Sequence, residues 1–233
     1  MKVGRSRYSL IDNSRHEVLG GGYQGRAIEV VLYYPIEKDE PEKAEASVAP
    51  YIIPDKLEKL HPMYKSKIKK TPNVSAVYDG LTPAEGKFPV VFFSHGYGGF
   101  AEQNSRMCVD LVKSGFIVVS VGHAYEASCI KMDDGRIIPY NNKIKTTSPM
   151  IPALISQFKK TRKPLDPVLA LESFDEFQNK YCSFLKTRVK VWADDIEYVY
   201  KNLRERENDE YFILGNKMDF SKGVGTTGHS FGG

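Results

Sequence analysis

Cysteine is scarce in this chain. Its three residues, Cys108, Cys129 and Cys182, are an odd number at wide spacings, and no CxxC pair occurs. That pattern argues against a disulfide framework or a thiolate zinc site and fits reduced thiols in a cytoplasm. Long apolar runs are missing too: none reaches the roughly 18 residues of a membrane-spanning helix. The opening "MKVGRSRYSLID" lacks the apolar stretch of a secretory signal. A cytoplasmic location is expected, with secretion the alternative if a signal peptide has been removed. Charge of one sign is also in short supply. The 33 Lys and Arg against 29 Asp and Glu leave a formal +4, too weak to argue for a nucleic-acid partner. Basic clusters at 65–70 and 159–163 read as solvated segments, with transient contact to an anionic lipid surface the alternative. No HExxH motif or His/Cys cluster offers a metal site, and no cofactor is implied.

What is present suits an ordinary globular domain. The chain has 233 residues, 41% of them apolar, with fourteen Tyr and twelve Phe, enough for one substantial core. Residues 3–11 and 26–34 are β-rich and flank a glycine-rich stretch, so they predict an antiparallel pair. The linker "GGGYQG" matches GxGxxG formally, but a strand follows it where a dinucleotide fold needs a helix. It reads as a hairpin loop. Residues 37–46 read as surface linker, and 56–69 as a short amphipathic helix broken at Pro62. "FPVVFF" (88–93) and "FIVVSV" (116–121) are continuous apolar runs of strand length, which suit strands covered on both faces. Between them 101–114 is helical, with Gly115 placed to end it. Strand, helix, strand with short joints predicts a right-handed parallel unit.

The stretch 129–171 is the least regular. "MDDGRII" predicts a hairpin turn at Asp134-Gly135, and four prolines then forbid a long helix. A connection this long inside a compact domain is usually functional. "SPMIPALISQF" either packs over the core or presents apolar side chains to lipid. From 173 to 206 the helical signal is strong: Ser173 with Glu176 makes a capping box, and Phe177, Tyr181, Phe184, Val189, Trp192, Ile196, Val199 and Leu203 predict one buried face. A last short strand over 218–227 delivers Ser230.

Two half-motifs carry chemistry. Gly228-His229-Ser230-Phe231-Gly232 has the G-x-S-x-G spacing of a nucleophile elbow. A serine hydroxyl needs exposure and a neighbouring base to act as a nucleophile. The elbow supplies the exposure, and its tight bend requires small residues such as Gly228 and Gly232 two positions either side. The second half-motif, "FFSHGYGGF" (92–100), lies where a buried strand gives way to a helix. Glycines Gly96, Gly98 and Gly99 there leave backbone N–H groups available to a carbonyl oxygen. Tyr97 and Phe231 are the expected amide donors of an oxyanion hole. His95 is expected to shape that loop, and His123 to line a substrate pocket, which His95 borders. His229 occupies the elbow's variable position.

On these residues the chain resembles the platelet-activating factor acetylhydrolase family, of the plasma or isoform II type, within the α/β-hydrolases. "FPVVFFSHGYGGF" and "GHSFGG" carry the likeness, "RAIEVVLYYPIE" resembles the family's second strand, and 177–203 its helix before the elbow. The resemblance implies an α/β-hydrolase fold, with a mostly parallel sheet opened by an antiparallel hairpin. Residues 1–233 would be the N-terminal part of one domain, with 124–172 as an excursion or lid-like insertion. It implies calcium-independent hydrolysis of short or oxidised acyl chains from phospholipids through an acyl-enzyme on Ser230. A general carboxylesterase or lipase, a dienelactone-hydrolase-like enzyme and a non-catalytic binding module are the alternatives. The family's acidic residue followed by His-Arg becomes "VGHAYEAS" here, which keeps His123 and leaves the substrate class open. In this fold the acid and base follow the nucleophile, so both are expected beyond residue 233. The 233 residues alone are expected to be inactive and poorly soluble, because the elbow strand would be an unpaired edge.

Overall fold

The computed structural model describes residues 1–20, 24–37, 47–49, 75–141 and 183–233, with positions 156, 168, 171, 172, 175 and 179. The helix expected over 56–69, the Ser173–Glu176 capping box, Phe177, Tyr181 and nearly all of the irregular 143–170 segment lie outside these residues. So does most of the 37–46 linker.

Two long strands open the chain, β1 (Lys2–His16) and β2 (Gln24–Ile36), paired antiparallel as the β-rich segments predict. Short strands β3 (Ser47–Ala49) and β4 (Ser75–Asp79) follow. Then β5 (Phe88–Ser94), helix α1 (Ser105–Lys113) and β6 (Ile117–His123) make the predicted parallel unit. Strands β7 (Cys129–Lys131) and β8 (Ile137–Pro139) form a separate hairpin, turning at the predicted Asp134-Gly135 with Gly135 at φ +83°. Helix α2 (Ser183–Glu205), β9 (Met218–Asp219) and β10 (Gly225–Gly228) complete the described elements. The described strands build a sheet in the order β10-β5-β6-β2-β1-β4-β3, with β9 also paired to β5. Among the described residues, no helix is long and apolar enough to cross a membrane.

Alternation along the strands sorts the core onto two faces, as a period of two requires. From β2, Ile28, Val30, Leu32, Tyr34 and Ile36 join Phe92, Val119, Val121, Val199 and Leu203 in one cluster. The intervening Val31 and Tyr33 join Phe93, Val118 and the α1 residues Cys108, Val109 and Val112 in another. Helices therefore cover the sheet on both sides, which explains why β5 and β6 read as unbroken apolar runs.

Two helix expectations need correction. Helix α1 starts at Ser105 rather than at 101, because residues 101–104 form turns closed by Gln103 N–H to Phe100 O and Ser105 N–H to Glu102 O. The Ala101 carbonyl accepts the buried Ser120 hydroxyl instead of starting a helix. In α2 the buried face is continuous only from Trp192 onward: Phe184 and Val189 are 37% and 55% exposed.

The chain-contact pattern divides the molecule into residues 1–140 with 195–233, and residues 141–194.

A buried carboxyl in the first unit couples the fold to pH. Glu29 on β2 is 4% exposed. Burial pushes its carboxyl up to about 7, against the pull of Arg7 at 2.8 Å. A carboxyl raised above its free value of 4.5 stabilises the fold fully below that pH, and the contribution fades as pH climbs towards 7. Glu29→Gln should therefore flatten the fall of Tm between pH 4.5 and 7; an unchanged slope in calorimetry would contradict this.

Candidate active site

The parallel strands β10, β5 and β6 run side by side, with Gly228 opposite Ser94 and Ser94 opposite Val121. Their carboxyl ends thus share one rim of the sheet, where α/β folds place their ligands. Each delivers a loop with polar residues: His229-Ser230 after β10, His95-Gly96 after β5, and His123 at the end of β6.

After β10 the backbone is still extended at His229 (φ −120°, ψ 128°) and then bends sharply. Ser230 adopts φ +55°, one of three non-glycine residues with positive φ among those described. Side chains other than glycine occupy that region at a cost, and such strain concentrates at functional sites. A 3₁₀ turn over Ser230–Gly232 follows, closed by Gly232 N–H to His229 O at 3.0 Å. The serine side chain is exposed. The flanking glycines are needed sterically. A Cβ on Gly228 would lie 1.9 Å from the Gly232 oxygen, and one on Gly232 would lie 2.4 Å from the Ser94 oxygen.

The Gly96–Gly99 loop packs directly against this bend. A Cβ on Gly96 would stand 3.3 Å from Ser230 Cβ and 2.7 Å from His229 Nδ1. The rings of Tyr97 and Phe231 meet edge to face with centroids 5.6 Å apart. Gly98 (φ +75°) donates its N–H to Glu126 O, and Gly99 donates to Gly96 O. Gln103, in the turn before α1, spans both halves: its Oε1 accepts the Gly96 N–H at 3.1 Å, and its Nε2 donates to His229 Nδ1 at 3.2 Å.

Beneath the rim lies a chain of buried polar groups. Ser94 Oγ is 2.8 Å from His123 Nε2, and His123 Nδ1 is 2.7 Å from Asp195 Oδ2 on α2. Asp195 also accepts a hydrogen bond from Arg26 Nη2 at 2.8 Å, and Arg15 Nη2 lies 2.8 Å from its Oδ1 as an ion pair. Arg26 in turn meets Glu17 at 2.6 Å and Glu126 at 3.2 Å. Burial opposes the Asp195 carboxylate, but Arg26 and His123 outweigh it and hold the carboxyl well below the usual range. Burial also lowers His123 despite the neighbouring carboxylate, and pushes His95 down to about 3. Both imidazoles are thus neutral at neutral pH.

The structure corrects the expectation that His95 and His123 line a pocket. Each is fully buried, because each ring fills the space under the loop and bonds to protein atoms. His95 Nδ1 meets Gly96 O at 2.7 Å, and its Nε2 accepts the His123 backbone N–H at 3.2 Å. Among the described residues, no group of three or more His, Cys, Asp or Glu is arranged to hold a metal ion.

Sequence reasoning missed Ser94, Gln103, Arg26 and Asp195. Asp195 had a visible signal, since it falls three residues after Trp192 and four before Val199, inside the apolar stripe of α2. A carboxylate at such a position must be paired. Ser94 and Gln103 had no comparable mark.

A mixed, mainly parallel sheet covered on both faces, with a strand-to-turn serine bend beside a glycine loop, defines the α/β-hydrolase fold. Residues 16–134, just over half of the chain, match the model of the family described as platelet-activating factor acetylhydrolase, isoform II. The chain belongs to that family. Among solved structures it is similar to a ferulic acid esterase from Streptomyces cinnamoneus, at 20% identity and a TM-score of 0.61. That match covers all of this chain and 53% of the esterase, so the chain spans about half the length of that structure. No curated protein matches the sequence.

Proposed function

We propose that the full-length protein is a serine carboxyl-ester hydrolase working through an acyl-enzyme. Ser230 is the nucleophile, and the backbone amides of Tyr97 and Phe231 receive the oxyanion. The observation that carries this reading is the close approach of the glycine loop to the bend, since a Cβ added to Gly96 would lie only 3.3 Å from Ser230 Cβ. An acyl carbon bonded to the serine then has its oxygen over the loop, where each oriented N–H donor is worth about 10²–10³ in rate. Gly96, Gly98, Gly228 and Gly232 keep the approach close. The base and acid are the residues that the fold's chain order places after the nucleophile, expected beyond Gly233.

Family membership supports short-acyl phospholipids as substrates, hydrolysed without calcium. A small ester or phospholipid meeting the site at a lipid surface is consistent with that class.

Fluorophosphonate labelling of the full-length protein tests the mechanism: one serine should be labelled, and Ser230→Ala should abolish it. Persistent labelling in that variant would refute the assignment. Rates on p-nitrophenyl esters of increasing acyl length test the substrate class. An acetyl or butyryl optimum is expected, and a long-chain optimum would redirect the reading to a lipase.

A further inference from the structure

We propose that Ser94, His95, His123 and Asp195 are positioning residues, a buried hydrogen-bonded relay that holds the elbow and the oxyanion loop in register. This rests on the reading of Ser230 as nucleophile.

The relay branches at His123. Asp195 Oδ2 accepts the Nδ1–H of His123, so Nε2 carries the lone pair and accepts the Ser94 hydroxyl. Ser94 is therefore pinned through its side chain. Its carbonyl meanwhile accepts the His229 N–H at 3.0 Å, the residue just before Ser230. That one serine ties the base of the elbow to the relay. The second branch runs through the backbone of His123, whose N–H reaches His95 Nε2 at 3.2 Å. With Nε2 accepting, His95 carries its proton on Nδ1 and donates it to Gly96 O at 2.7 Å. Gly96 is the residue that abuts Ser230.

Both halves of the site thus hang from one residue, His123: the elbow through its neutral imidazole, whose tautomer is set by the Asp195 carboxylate that Arg26 keeps ionised, and the glycine loop through its backbone N–H. Every polar atom of the two rings is bonded, which rigidifies a buried network. Rigidity is what acyl transfer needs here, since about 1 Å of misplacement can cost 10²-fold in rate.

Ser94, His123 and Asp195 have the atom order of a catalytic triad, but burial removes them from the chemistry. Ser94 is 2% exposed and the other two are fully buried. The backbone of the elbow also lies across Ser94, with the Gly232 Cβ position 2.4 Å from its carbonyl oxygen. No ester can reach that hydroxyl while the elbow is in place.

The test uses full-length protein and p-nitrophenyl acetate, with active sites titrated by fluorophosphonate. Ser94→Ala removes one hydroxyl and leaves the backbone bond to His229. Its kcat per active site should fall about 10–100-fold with KM within about twofold, because positioning acts on the reacting geometry. A role in stability alone would lower Tm and leave kcat per titrated site unchanged, and that result overturns the proposal. Wild-type protein supplies a second measurement that needs no variant. The downfield proton resonance of His123 Nδ1–H should shift when Ser230 is phosphonylated, and an unmoved resonance overturns the coupling. Labelling separates the two levels of the argument. If Ser230→Ala is still labelled and Ser94→Ala is not, the nucleophile assignment itself fails. If Ser230 is the labelled residue and Ser94→Ala keeps full kcat, only the positioning role fails.

Discussion

Asp195→Ala should cost the full-length protein about 3–5 kcal/mol, the usual penalty for removing one partner from a buried charge network. The carboxylate accepts hydrogen bonds from Arg26 and His123, forms an ion pair with Arg15, and is fully buried. Without it Arg26 retains Glu17 and Glu126, but the Arg15 contact at 2.8 Å and the His123 Nδ1–H contact are both lost. Neighbouring Asp194 is the control: its side chain is 30% exposed in an i,i+4 pair with Lys190, and Asp194→Ala should change stability by about 0.5 kcal/mol or less. Urea midpoints of the two variants decide the matter, and equal midpoints would refute the network's importance. The pH dependence follows from the same contacts. A carboxyl held below its free value of 3.8 stabilises the fold above that pH, and the contribution disappears as pH falls through the folded value. His123, held below 6.5, acts in the same direction: its neutral form is favoured, so stability is lost as pH falls below 6.5. Acid should therefore unfold the wild type more steeply than Asp195→Asn.

The second large effect is expected at Gly228. A methyl there would lie 1.9 Å from the Gly232 oxygen and 2.2 Å from its carbonyl carbon, far inside contact distance. Both clashing atoms are backbone, so no side chain can move aside. Gly228→Ala must open the bend and shift Ser230 away from the Gly96 loop. A displacement of that kind should lower ester turnover by about 10²-fold or more. Wild-type turnover in Gly228→Ala would mean that the bend does not set the position of Ser230 that the proposed mechanism requires.

Local rules made much of this legible in advance. Apolar runs at 88–93 and 116–121, a glycine at each sharp turn and G-x-S-x-G spacing are short-range patterns, and their meaning depends on few neighbours. The hairpin at Asp134-Gly135 and the placement of Gly115 at φ +93° after α1 follow from the same economy. The start of α1 was misjudged because the Ala101 carbonyl is claimed by Ser120, nineteen residues away on β6. The depth at which the two histidines are buried was hidden for a related reason. A histidine following a strand looks the same in sequence whether it faces solvent or a buried carboxylate.

The chain's own pattern determined the order of elements, the covered strands, the elbow and the glycine loop, because each rests on backbone preference and on periodicity within a few residues. Only the tertiary structure decided that Asp195 meets His123 across 72 residues, that Ser94 lies under the elbow, and that Gly96 comes so near Ser230 that a Cβ there would crowd it. They join the carboxyl ends of neighbouring strands to one another and to a distant helix. Sheet order and register create them, and no local spacing encodes them.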